Sequence, residues 1–166
     1  MKDRTKTCCF TGHRPSKLPW GYDETDERCI LLKEKLYDIT EAVYLSGVRH
    51  FICGMAMGCD LYFCKILVSL REKYPDMTIE AAIPCETQAL RWRKSERERY
   101  EKLVEKCDVK TMVSRAYTYD CMIKRNKYMV DNSSLLIAVF DGTIGGTMKT
   151  VIYAKQQGLE IIQIET

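Results

Sequence analysis

Phe51-Ile-Cys-Gly-Met-Ala-Met-Gly-Cys-Asp60 is a short apolar run that breaks at Gly54 and resumes, from Cys59, with helical spacing. It reads as a strand, a glycine turn and the first turn of a helix, which is one half of a βα unit. Gly54 and Gly58 remove side chains where a backbone bends sharply or lets something approach, and the helix start would present unpaired N–H groups to an anion. The spacing Gly-x-x-x-Gly-x-Asp fits neither Gly-x-Gly-x-x-Gly nor a nucleotide triphosphate loop ending in Gly-Lys-Ser/Thr. On its own the turn is therefore either an anion site or a packing turn.

Working outward, the same grammar recurs. Thr7 to Thr11 is a β-favouring segment that runs into the polar loop Gly12-His-Arg-Pro15. From Asp23 the spacing of Leu32, Leu36, Ile39 and Val43 is helical, with Gly47 as the stop. Arg49 to Cys53 is the second strand and Cys59 to Lys73 the second helix, with Leu61, Cys64 and Val68 on one face. Thr78 to Ile83 is a third strand, followed by a loop and a charged outer helix, Lys94 to Lys106. Val109 to Val113 is a fourth strand and Tyr119 to Asp131 a helix. Leu135 to Phe140 is continuously apolar, as suits a strand covered on both faces. It ends in a second glycine turn, Asp141-Gly-Thr-Ile-Gly-Gly-Thr147, before a helix from Met148 to Gln157 whose packed side carries Met148, Val151 and Ile152, and a last strand from Glu160 to Ile164.

Six strands alternating with five helices predict a Rossmann-like, doubly wound α/β fold: a mostly parallel sheet with helices on both faces, in a single domain over residues 1–166. In such sheets the loops beyond the strands' carboxyl ends converge. Those after strands one, two, three and five would then share one crevice.

The 166 residues are enough for a full core without disulfides or metal. A net charge of +3 with 30% charged residues argues against a dedicated nucleic-acid binder, whereas a small anion needs no basic excess. The nine cysteines form no Cys-x-x-Cys pair and read as reduced core residues of a cytoplasmic protein. Cys53, Cys59 and Cys64 match no common zinc spacing, so no metal is expected. Met1-Lys-Asp-Arg-Thr-Lys has no apolar signal core, and no run reaches membrane-spanning length.

Phe10-Thr-Gly-His-Arg-Pro15, the Gly54 to Asp60 turn, Arg125-Asn126-Lys-Tyr-Met-Val-Asp131, and Leu136-Ile-Ala-Val-Phe-Asp-Gly142 followed by Gly145-Gly-Thr147 together resemble the YpsA-like branch of the SLOG superfamily. The resemblance covers almost the whole chain. It implies a Rossmann-like fold that binds a nucleotide or nucleotide derivative, and homodimerisation. The superfamily includes the DNA-processing protein and the lonely-guy phosphoribohydrolases, which split a nucleoside monophosphate into base and ribose phosphate. Those hydrolases share Gly-Gly-x-Gly-Thr-x-x-Glu; here Gly146-Thr147 is followed by Met148, Lys149, Thr150 and Val151, with no carboxylate. An oxocarbenium-like state wants a carboxylate nearby and is opposed by a lysine, so binding is favoured over hydrolysis unless Asp60, Glu86 or Asp141 acts from another loop.

The candidate ligand residues follow. Gly145, Gly146 and Thr147 would offer amides and a hydroxyl to a phosphate, as would Gly54, Met55 and Gly58. Arg14 would clamp that phosphate, or make a surface ion pair. Gly12 and His13 would border it, His13 donating to the ligand or fixing its loop. Asp60 would take ribose hydroxyls, or only cap its helix. Trp92 would stack on a base, or close over the core. Arg125 and Asn126 would reach the ligand or cap a loop, and Asp141 and Gly142 would shape the second turn. No catalytic residue and no tightly bound cofactor is assigned. The competing classes are a nucleotide-binding or sensing domain, a phosphoribohydrolase, and a single-stranded DNA or protein interaction module.

Overall fold

The computed structural model describes residues 3–166; Met1 and Lys2, at the polar start, lie outside them. The strands are β1 (Thr7–Gly12), β2 (His50–Cys53), β3 (Thr78–Ile83), β4 (Val109–Met112), β5 (Leu135–Val139) and β6 (Glu160–Ile164), and the helices α1 (Glu27–Leu45), α2 (Cys59–Lys73), α3 (Lys94–Lys106), α4 (Cys121–Asp131) and α5 (Gly146–Gln156). A single 3-10 turn, Pro15–Lys17, follows β1. All five strand pairings are parallel, in the order β4-β3-β2-β1-β5-β6. The fold is Rossmann-like α/β.

Strand side chains alternate between two cores, as the two-residue period of an extended chain requires. Cys8 and Phe10, Phe51 and Cys53, Ile79 and Ala81, and Ile137 and Val139 face the larger core, shared with α1, α2 and α3. Cys9, Ile52, Ala82, Leu136 and Ala138 face the smaller one, against α4 and α5. Phe10 stacks on Phe63 of α2 with ring centroids 4.4 Å apart, tying the central strand to the larger layer. All nine cysteines are free and buried, which is how small hydrophobes behave. No helix among the described residues is long and apolar enough to cross a membrane.

Two helix faces differ from the periodicity reading, for one reason. The buried side of α1 is Cys29, Leu32, Leu36, Thr40, Val43 and Tyr44, with Ile39 only half-buried. On α5, Thr147, Thr150, Val151 and Ala154 are buried, whereas Ile152 is 48% exposed. The Thr40 hydroxyl donates to the Leu36 carbonyl at 2.6 Å, and that of Thr150 to the Gly146 carbonyl at 2.9 Å. A threonine that satisfies its hydroxyl on the preceding turn can face a core with its methyl.

The sheet also buries a polar cluster that the apolar pattern conceals. Glu80 of β3 is fully buried; His50 Nε2 lies 2.7 Å from its Oε1, and the Thr111 hydroxyl donates to Oε2 at 2.7 Å. Tyr128 of α4 donates to the same oxygen, and His50 Nδ1 meets the Thr78 hydroxyl at 2.6 Å. β2, β3, β4 and α4 thus share one carboxylate, whose burial is tolerable only because both oxygens are bonded.

Candidate functional site

β1 lies at the point where the chain order reverses: β2, β3 and β4 extend on one side and β5 and β6 on the other. In an open parallel sheet that reversal leaves a crevice beyond the strands' carboxyl ends. A cavity of about 180 Å³ occupies it, walled by the loop after β1, the starts of α2 and α5, and one side of α4.

Of the sequence candidates, Gly12, His13, Arg14, Asp60, Arg125, Asn126, Gly146 and Thr147 line this cleft. The remaining seven do not. The turn after β2 is used internally: the Ala56 N–H donates to Asp60 Oδ2 at 3.0 Å, and the Cys59 N–H to the His13 carbonyl at 3.2 Å. Gly58 adopts φ +87°, and a Cβ there would lie 2.8 Å from the His13 carbonyl oxygen, so its bareness serves the packing of one loop on the other. The Gly54 carbonyl accepts from Arg125 Nη1, and the Met55 side chain is fully buried on a backbone of φ 60°. Trp92 is half-buried against the larger core and meets Tyr100 edge-on at 5.2 Å. Asp141 sits behind the cleft, its Oδ1 3.0 Å from His13 Nε2 and accepting from Thr143 N–H and hydroxyl at 3.0 and 2.7 Å; Gly142 completes this bend. Gly145 caps α5 without a side-chain acceptor for the helix's first amides.

Cations dominate the lining. Arg125 is buried on α4; its Nε donates to Asn126 Oδ1 at 2.8 Å, and its Nη1 holds the Gly54 carbonyl. Its Nη2 reaches Met122 Sδ at 3.6 Å, and Arg14 Nη2 reaches the same sulfur at 3.8 Å. A thioether is a weak acceptor, so two guanidinium edges converge on a position that an oxyanion would satisfy better. Asp60, buried beside them, is the carboxylate of the lining. Burial pushes its pKa up, while Arg125, the Ala56 N–H and Arg14 pull the other way. Burial lowers the pKa of Arg125, and Asp60 opposes that. Asp141 is held well below the usual carboxylate range by the hydroxyl and N–H of Thr143 and by His13.

Sequence reading did not name Phe10, Thr11, Ser16, Lys17, Ala56, Met122 or Met129 as ligand residues, although Phe10, Thr11, Ala56 and Met129 fall within the quoted motifs. Met122 was findable in principle, since it precedes Arg125 and Asn126 by one helical turn and shares their face.

Fold and cleft together define a Rossmann-like α/β domain with a cationic crevice at its topological switch point. The profile of the YspA SLOG family matches residues 8–165, so the chain belongs to that family, as the motifs implied. It is similar to the uncharacterized SPbeta prophage-derived protein YoqJ of Bacillus subtilis (strain 168), 29% identical over 138 residues, covering 75% of this chain and 81% of that one. It is 26% identical over 161 residues to a UPF0398 protein of Bacillus thuringiensis (strain Al Hakam), covering 94% and 85%. Among solved structures, DNA processing protein A from Helicobacter pylori, studied for its single-stranded DNA binding mode, superposes with a TM-score of 0.62 at 11% identity, over 95% of this chain and 64% of that one. That likeness is one of fold, and this chain spans under two thirds of the longer protein.

Proposed function

We propose that the chain binds a nucleotide or nucleotide derivative, its phosphate held between Arg14, Arg125 and the first amides of α5, and its ribose hydroxyls on Asp60. The observation that carries this reading is the meeting of the two Nη2 groups at Met122 Sδ, beside a helix start. Bidentate guanidinium groups and helix N-termini both suit phosphate. Asp60 supplies the complementary acceptor. Gly54, Met55 and Gly58 serve the site by holding Arg125 and the His13 loop in place.

Thermal unfolding with AMP or ADP-ribose tests the reading. At about a hundred times Kd the expected stabilisation is about 2.7 kcal/mol, or a Tm rise of about 5–10 °C. Arg14→Gln should lower affinity by about 10- to 100-fold. Absence of any shift with a panel of nucleoside phosphates, in a protein that melts cooperatively, rules the reading out.

One observation favours a hydrolytic alternative. Asp60 is a buried carboxylate with a raised pKa in a cleft, which is the signature of an acid–base group. A phosphoribohydrolase would release free base from AMP, and Asp60→Asn would abolish that release. Chromatography of AMP incubated with the protein decides between binding and cleavage.

A further inference from the structure

Lys17 ends the 3-10 turn after β1, and its Nζ donates to the Ile144 carbonyl at 2.7 Å, across the mouth of the cleft. A Cβ on Gly145 would stand 2.2 Å from that Nζ. Gly145 has φ 162°, an extended backbone that any residue adopts, so what the missing side chain leaves room for is the tip of Lys17, which is flexible, and not a strained chain path. The seat so formed immediately precedes the first amides of α5, and Lys17 lines the cleft together with Arg14, Arg125, Gly146 and Thr147.

A second mark sets this helix start apart from an ordinary one. Asp60 is 6% exposed, and its Oδ2 takes the Ala56 N–H, while its Oδ1 has no hydrogen-bond partner among the described residues and borders the same cleft. The cleft therefore offers an acceptor to a hydroxyl as well as cations to an anion. Arg14, Lys17 and Arg125 face the single carboxylate of Asp60, a surplus of two positive charges when that carboxylate is ionised. A phosphomonoester carries about −1.5 to −2 at neutral pH, whereas an internal phosphodiester carries about −1.

We infer that Lys17 reads the second charge of a terminal phosphomonoester, exchanging the Ile144 carbonyl for a phosphate oxygen, so that the cleft's ligand class is a sugar phosphomonoester. The exchange is favourable because the ammonium then faces a full opposite charge, whereas the Ile144 carbonyl offers it only a dipole. The inference rests on the phosphate placement proposed above and narrows the ligand it admits.

Calorimetric titration of the full chain with AMP and with its methyl phosphodiester, which has nearly the same shape and one charge fewer, tests it. The wild type should bind AMP about tenfold more tightly than the diester, and Lys17→Met should lose about tenfold for AMP while holding the diester within about twofold. Lys17→Arg should restore the preference. Lowering the pH from about 7.5 to about 5.5 protonates AMP, whose second pKa is about 6, and should weaken binding to the wild type severalfold but not to Lys17→Met. The charged and titratable groups that line the cleft with Lys17 (His13, Arg14, Asp60 and Arg125) are present in both proteins, and the methyl diester, which does not titrate in this range, measured at both pH values reports their effect separately. Equal affinity of the wild type for the two ligands, or equal losses for both in Lys17→Met, overturns the inference and leaves the phosphate placement standing. Binding of neither ligand by the wild type removes both.

Discussion

The guanidinium of Arg125 fills the space that a β-carbon on Gly54 would need: a Cβ there would lie 2.8 Å from Nη1 and 2.9 Å from Cζ. Two residues 71 positions apart thereby fix the distance between α4 and the turn after β2. Gly54→Ala should cost about 1–3 kcal/mol, the usual price of overpacking, and weaken nucleotide binding by turning Arg125 out of line. Urea denaturation gives the first quantity and ligand titration the second. An alanine variant with unchanged stability and affinity would show that Arg125 moves aside without consequence.

Asp60 gives stability a particular slope with pH. Its folded pKa is raised, chiefly by burial, above the unfolded value of about 3.9. Its contribution is therefore complete below that value and is lost as pH rises through the folded pKa. Relative to Asp60→Asn, the wild type should become less stable as pH rises from about 4 toward neutrality. Urea midpoints measured across that range check the sign. The opposite slope would mean that Arg125 and Arg14 outweigh burial.

Glu24 behaves in the reverse sense. Partial burial raises its pKa, but hydrogen bonds and charge from Arg99 and Lys33 outweigh this and bring the carboxyl down to about 2. Arg99 Nη1 and Nη2 hold it bidentately at 2.6 and 2.8 Å, joining the segment before α1 to α3. Its stabilisation is present above the unfolded value of about 4.3 and disappears as pH falls through about 2. Glu24→Gln should cost on the order of 1 kcal/mol at neutral pH, after solvent screening, and much less near pH 2. Paired denaturation curves at the two pH values read this directly.

Glu80 anchors four elements, so its removal should be severe. Glu80→Ala leaves His50, Thr111 and Tyr128 without their shared acceptor and should cost about 3–5 kcal/mol. Tyr128→Phe removes one donor and should cost only about 1 kcal/mol. Thermal melts of the two variants test the ordering.

Much of this architecture was readable from residue types. The reading of α2, α3, β3 and β6 agrees with the structure at both ends, because each combines a clear period with a glycine, proline or charge boundary. The family motifs were equally legible, and they contain twelve of the fifteen residues that line the cleft, eight of them named as ligand residues. What sequence could not supply was the assignment of bare backbone to ligand or to packing. Gly54 and Gly58 look like Gly145 and Gly146 in one dimension; only the folded chain puts Arg125 against the first and the His13 carbonyl against the second. Trp92 lies in a polar stretch, yet tertiary packing places its indole on Tyr100. Lys17 carries no local pattern at all, since its significance comes from Ile144, 127 positions away.

That separation bears on how the molecule is made. His13 and Asp141 meet across 128 positions, and β1 pairs on one side with the early β2 and on the other with the late β5. During synthesis, which adds roughly 5–20 residues each second, β1 to β4 can assemble well before β5 leaves the ribosome. Until then β1, with Cys8, Cys9 and Phe10, forms an apolar edge strand whose β5 side is unpaired, the kind of edge that invites aggregation.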